Sequence, residues 1–202
     1  MAMADTVLSV LMVMESVFPT SHGGGAESQV RTLGLEFMRR QVPVAVLVPM
    51  LRIGPQSAED NVDGIPVRRI TYPKLQVFGS MWMLFKLALQ LVRERHRYDV
   101  IHANIAGNIA AVCCVVGRLL RKPVLVKLTG MTEMKGGILD PSPRPVTRLR
   151  KRVLRAAGAY QATSDRIARL LVARGFEAAK VRHIPNAVDV ERFAHCNGDA
   201  PL

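Results

Sequence analysis

Short apolar runs alternate with amphipathic stretches along almost the whole chain. The first run, residues 7–14 (VLSVLMVM), is rich in Val and Leu and predicts a strand. After a loop, residues 26–40 place Ala26, Val30, Leu33 and Phe37 at helical spacing, with Arg31, Glu36, Arg39 and Arg40 between them. Residues 44–48 (VAVLV), entered through Pro43, predict a second buried strand, and 65–70 (IPVRRI), after Asp63-Gly64, a less buried one. Then come a long helix at 80–97, a short strand at 100–102, a buried helix at 105–120 and a strand at 124–128 (VLVKL). Pro145 sits in the first turn of a basic helix at 145–157. A strand at 159–163, a helix at 164–174 with Ser164 as N-cap and Gly175 as stop, and a short strand at 181–184 complete the pattern.

Strands alternating with helices imply right-handed parallel crossovers, hence an α/β fold with a doubly wound, mainly parallel sheet and helices on both faces. The runs at 7–14 and 44–48 largely lack polar alternation, as strands buried on both faces should. Residues 131–144 hold Gly136, Gly137, Pro141 and Pro143, and are expected to form a long mobile loop of the kind that often carries function. The pattern predicts one domain over residues 5–193, with 194–202 a tail or the start of a linker.

The chain has 202 residues, 49% of them hydrophobic and 22% charged, enough apolar material for a real core. Three cysteines, two of them adjacent, do not make a disulfide framework and suggest a reducing compartment. The apolar stretch at 105–120 is broken by Asn108 and Gly117 and falls short of the roughly 20 residues that cross a bilayer. No basic segment precedes the first apolar run, so a signal peptide is not expected. These features predict a cytoplasmic protein, with peripheral contact to the inner face of a membrane as a further expectation.

A net charge of +12 asks for an anionic partner. Aromatics are only 5%, and none interleave with Arg or Lys, which argues against nucleic acid. Arg144, Arg148, Arg150, Lys151, Arg152 and Arg155 cannot all share one helix face, so part of this run is a solvated face and the rest could meet anionic lipid or a diphosphate. Met81, Trp82, Met83 and Phe85, beside Lys86 and Arg93, add to that idea, although such a stripe normally faces a core.

Four stretches could carry chemistry. Ser21-His22-Gly23-Gly24-Gly25-Ala26-Glu27 opens the first helix. Glycines there let a ligand approach the backbone, and the unpaired amides of a helix start can hold a phosphate. The alternative is a tight turn with Glu27 complementing the helix dipole. G-x-G-x-x-G is absent, which disfavours a nicotinamide cofactor. His102 and Asn104 end a strand on the same expected rim, where they could hydrogen-bond a hydroxylated substrate or simply be structural. Lys127, Thr129 and Gly130 end another, where Lys127 could pair with a phosphate or remain at the surface. The only carboxylates near this rim are Glu27, Glu133 and Asp140, and none has the setting of a general base. No metal-ligand cluster is apparent.

Gly23-Gly24-Gly25-Ala26-Glu27, Asp99-Val100-Ile101-His102 and the closing Ile184-Pro185-Asn186-Ala187-Val188-Asp189-Val190-Glu191-Arg192-Phe193 occur in an order that resembles the N-terminal domain of glycosyltransferase family 4. The last stretch is similar to that family's I-P-N-G-V-D-x-x-x-F signature, with Ala187 in place of Gly. The resemblance implies the Rossmann-like N-terminal, acceptor-binding half of a GT-B fold. It implies retaining transfer of a sugar from a nucleotide-sugar to a glycan or lipid-linked acceptor, without a catalytic metal or other cofactor. Gly23, Gly24 and Gly25 would approach the donor diphosphate, and Glu27, His102, Asn104, Lys127, Thr129 and Gly130 would line the donor and acceptor sites. Asn186 and Asp189 would lie at the junction with a second domain. Thr129 stands where relatives often carry His, so no catalytic residue is carried over. The family's donor domain would begin where this sequence stops, so the expectation is an isolated acceptor domain or a truncated product, inactive or weakly active by itself. A different expectation rests on charge: a non-catalytic module that docks on anionic membrane or on a separate donor-domain subunit.

Overall fold

The computed structural model describes residues 7–19, 24–50, 56–73, 75–134, 136–141, 144–188 and 190. In chain order the elements are β1 (Val10–Met14), α1 (Gly25–Arg39), β2 (Val44–Pro49), β3 (Glu59–Val62), β4 (Ile65–Ile70), α2 (Gln76–Arg93), β5 (Val100–Asn104), α3 (Asn108–Leu120), β6 (Val124–Leu128), α4 (Met131–Met134), α5 (Pro145–Leu154), β7 (Ala159–Ala162), α6 (Asp165–Ala173) and β8 (Val181–His183). The strands form one sheet in the order β3-β4-β2-β1-β5-β6-β7-β8. Every neighbouring pair is parallel except β3 and β4.

The chain winds left from β1 through α1, then returns right through α2, α3, α5 and α6. Right-handed crossovers therefore leave α1 alone on one face and the other four long helices on the opposite face. Side chains alternate accordingly. Met12, Met14, Val46, Val48, Ile65 and Val67 pack with Val30 of α1. Leu11, Val13, Leu47, Ile101, Val126 and Tyr160 join Leu87 and Leu91 of α2, Ile109 of α3, Leu154 of α5 and Ile167 and Leu171 of α6. Ser164 caps α6, its Oγ accepting from the Ile167 amide at 3.3 Å, and Gly175 at φ +80° ends that turn.

Several expectations shift. The antiparallel edge strand β3 has no apolar alternation. It forms because Asp63 and Gly64, both at positive φ, make a two-residue turn that folds the chain back on β4. The helix expected from 105 begins at Asn108, since Ile105 sits at φ +72°. The helix expected at 80–97 spans Gln76–Arg93. Residues 131–144 are not simply a loop: α4 supplies a helical turn, the Leu139 amide donates to the Glu133 carbonyl at 2.8 Å, and the Gly136 amide donates to Asp140 at 2.6 Å. Residues 135, 142 and 143 lie outside the described residues. The α2 stripe splits between environments: Met83 is buried, but Phe78, Met81, Trp82 and Phe85 are exposed. Among the described residues no helix is long and apolar enough to cross a membrane.

Candidate functional site

The carboxyl ends of the central strands form one rim, where an open α/β sheet presents ligand sites. Three parts of it hold the residues singled out in the sequence. They differ in how far the protein satisfies its own polar groups.

The first part is the start of α1. Gly24 is the N-cap, with extended backbone and no capping side chain, and its carbonyl accepts from Ser28 at 3.0 Å. Glu27 folds back over Gly24: a Cβ at that position would overlap its carboxylate, at 1.8 Å from Oε2. Ser16 donates its Oγ–H to the same carboxylate. The helix start thus carries an internal anion near its positive end. At Gly25 a Cβ would meet nothing within 4 Å, so this turn faces open space. Gly23 lies outside the described residues.

The second part joins the ends of β5 and β6. Glu133 is buried, and its carboxylate accepts from the amides of Ala106 at 3.2 Å, Thr129 at 3.4 Å and Gly130 at 2.9 Å, and from the Thr129 hydroxyl at 3.4 Å. Position 130 must be glycine: its φ is +102°, and a Cβ there would stand 3.0 Å from Ile167 Cδ1. The Lys127-Leu128-Thr129-Gly130 stretch therefore directs its amides at a carboxylate of the chain itself. Glu133 is an internal clamp on two strand ends, which its spacing in the sequence did not reveal.

The third part is a polar row on the sheet face that carries α1. Register places Asn104 beside Met14 and Lys127, and Lys127 beside Gln161, with His102 one step back beside Met12. Lys127 is not the surface residue that a strand-end lysine could be. It is 4% exposed, has no hydrogen-bond or ion-pair partner among the described residues, and burial lowers its pKa. His102 is 3% exposed. Burial, then the charge of Lys127, lower its pKa to about 4 against a hydrogen bond to Gln161, so the imidazole is neutral near pH 7. Its Nε2 has no partner. Asn104 Nδ2 donates to the His102 carbonyl at 3.3 Å. Gln161, which the sequence reading passed over, donates to the Ile184 carbonyl at 3.1 Å, and Gln29 of α1 donates to the Ala187 carbonyl at 2.6 Å. Residues 184–188 are thereby tied to both β7 and α1. Asn186 is exposed within this segment, and Asp189 lies outside the described residues.

One more pair emerges only in three dimensions. Glu15, past the end of β1, lies against Gly107 at the start of α3, with its Oε2 2.4 Å from where a Cβ would stand. Arg150 of α5 donates to Asn108 at 3.2 Å and attracts Glu15 electrostatically, while burial pushes the Glu15 pKa up. These residues are far apart in sequence, and no spacing rule links them. Among the described residues there is no group of three His, Cys, Asp or Glu side chains placed to hold a metal ion.

A mainly parallel sheet with an open, glycine-bearing helix start at its carboxyl rim defines a Rossmann-like α/β protein. The model of Glycosyltransferase Family 4 matches residues 23–192, and the chain belongs to that family. Its fold is that of the N-terminal domain of a GT-B protein. Anabaena HepE in complex with UDP and glucose is 23% identical, with a TM-score of 0.62, over 91% of this chain and 46% of HepE. Sucrose-phosphate synthase from Thermosynechococcus elongatus is 16% identical, with a TM-score of 0.62, over 91% and 49%. UDP-N-acetylglucosamine 2-epimerase from Rickettsia bellii is 11% identical, with a TM-score of 0.57, over 87% and 44%. At these identities the likeness shows the fold. The chain spans about half the length of these structures. No curated protein matches it.

Proposed function

We propose that this chain is the acceptor-side half of a retaining glycosyltransferase, which transfers a sugar from a nucleotide-sugar to a glycan or lipid-linked acceptor. The observation that carries this reading is the open helix start at Gly25 within a family 4 domain. When the anomeric carbon–oxygen bond of the donor breaks, the electron pair leaves with the diphosphate. In this reading amides at the first turn of α1 stabilise that charge, while the amides at Thr129 and Gly130 already serve Glu133. His102, Asn104 and Lys127 then act beneath the rim, and Lys127 is the group with charge left to offer an anionic ligand. The sugar-binding half of the donor would be held by a second domain, so that groups from both sides converge on one carbon.

The test is amide chemical-shift mapping of the chain titrated with UDP and with a UDP-sugar. The expected result is weak, millimolar-range binding with the largest shifts at Gly24, Gly25 and the first turn of α1. Shifts confined to Thr129 and Gly130, or sugar transfer at ordinary enzyme rates by this chain alone, would overturn the assignment.

A further inference from the structure

Helix α2 is apolar on two opposite sides. Met83, Leu87 and Leu91 face the core and are buried. Phe78, Met81, Trp82 and Phe85, spaced three and four apart, form a stripe on the outer side, and Phe78 is 72% exposed. Large aromatic side chains gathered on a solvent-facing stripe are not explained by the fold of this chain. The neighbouring helices continue the surface. α3 packs between α2 and α5 and exposes Val115 and Leu119, while α5 exposes Val146 and Leu149. An apolar trough of about 450 Å³ lies between α3 and α5, lined by Cys114, Val115, Leu119, Val153 and Ala156 with Arg118 at its side.

Charge on these three helices is one-sided, and Glu94, the C-cap residue of α2, is paired with Arg68. Helices α2, α3 and α5 together carry seven Lys or Arg residues and no Asp or Glu. Carboxylates lie instead on other elements, at Glu27 and Glu36 of α1, Glu59 and Asp60 of β3 and Asp165 of α6. Arg93, Arg118, Arg148 and Arg152 are exposed around the apolar side chains. A polypeptide partner of mixed charge would leave such a layer uncomplemented. A bilayer with anionic headgroups complements both features at once, taking aromatic and aliphatic groups below the headgroups and arginines at the phosphates.

We infer that the outer face of α2, α3 and α5 docks on an anionic phospholipid surface, with Phe78, Met81, Trp82 and Phe85 entering the headgroup–acyl boundary. This inference stands independently of the donor chemistry above. It places the start of α1 on the opposite side of the sheet, clear of the bilayer.

Trp82 is the chain's single tryptophan and reports directly on this contact. The chain is mixed with vesicles of phosphatidylcholine containing about 30% phosphatidylglycerol, and with pure phosphatidylcholine vesicles as control. Expected are co-sedimentation with the anionic vesicles only, weakening at high salt, a blue shift of Trp82 emission, and quenching by lipids brominated on their acyl chains. The exposed substitutions F78S/F85S are expected to lower the partition coefficient by at least about tenfold with an unchanged far-ultraviolet circular dichroism spectrum, and R148E/R152E to do the same. No binding to anionic vesicles, binding without quenching of Trp82, or sedimentation as a dimer that shields Trp82 would each overturn the inference. The quenching measurement needs no variant, so a misfolded variant does not protect the idea.

Discussion

Two stretches of one rim treat their backbone amides in opposite ways. At the ends of β5 and β6, Glu133 accepts from three amides and a hydroxyl, so these donors are already taken. At the start of α1, Glu27 lies over Gly24 but the Gly25 side is open. Both carry a carboxylate close to glycine, so composition does not tell them apart. The difference is burial: Glu133 is 2% exposed and fixed by its acceptor bonds, whereas Glu27 is half-exposed and can swing away. A rim needs both kinds of segment, one to hold the strands in place and one to receive charge.

The sharpest way to break this comparison is Glu133→Ala. It leaves three amides and the Thr129 hydroxyl without this acceptor, and is expected to cost roughly 3–5 kcal/mol in urea unfolding. Glu133→Gln, which keeps an acceptor oxygen, should recover part of that. A near-neutral Glu133→Ala would mean that the clamp is incidental.

A slightly smaller effect is expected from acid. The folded-state pKa of His102, about 4, lies below its ordinary 6.5, so the unfolded chain binds the proton more readily. The contribution is fully present above pH 6.5 and is lost as pH falls toward 4, by roughly 3 kcal/mol. Urea midpoints measured at pH 7, 5.5 and 4.5 should fall in that order. His102→Leu should flatten the part of the slope that belongs to this window, and an unchanged slope would remove His102 from the account.

Gly25→Ala separates binding from stability. Its Cβ meets no atom, and alanine favours the helix by about 0.5–1 kcal/mol, so unfolding should be unchanged or slightly harder. The affinity for UDP should nevertheless drop about tenfold if a diphosphate approaches that backbone. Smallest is Gly24→Ala. The atom in its way is the far end of the flexible Glu27 side chain, which can turn aside and release Ser16, for a stability change below about 1 kcal/mol. A large loss there would show that Glu27 is as firmly placed as Glu133, and the two stretches would no longer differ.

Much of the fold was legible because the crossovers impose long periodic signals. The apolar strands β1, β2 and β6 and helix α1 stand close to their expected positions. Edge strand β3 was not legible, since an edge strand needs no apolar alternation and is placed by the turn at Asp63 and Gly64. The site was legible only in kind. Gly24, Gly25, His102, Asn104, Lys127, Thr129 and Gly130 all fall at strand ends or the first helix start. Their division into open, clamped and buried groups depended on Glu133, Gln161 and residues 184–188, which come from other parts of the chain.

The sequence by itself determined the winding of the sheet, the family and the excess of positive charge, because periodicity, motif order and composition are properties of a linear chain. Tertiary structure decided which amides remain free, which lysine is buried, and which side of α2 meets solvent. Those outcomes depend on distances between residues far apart in sequence, and on which face each crossover covers.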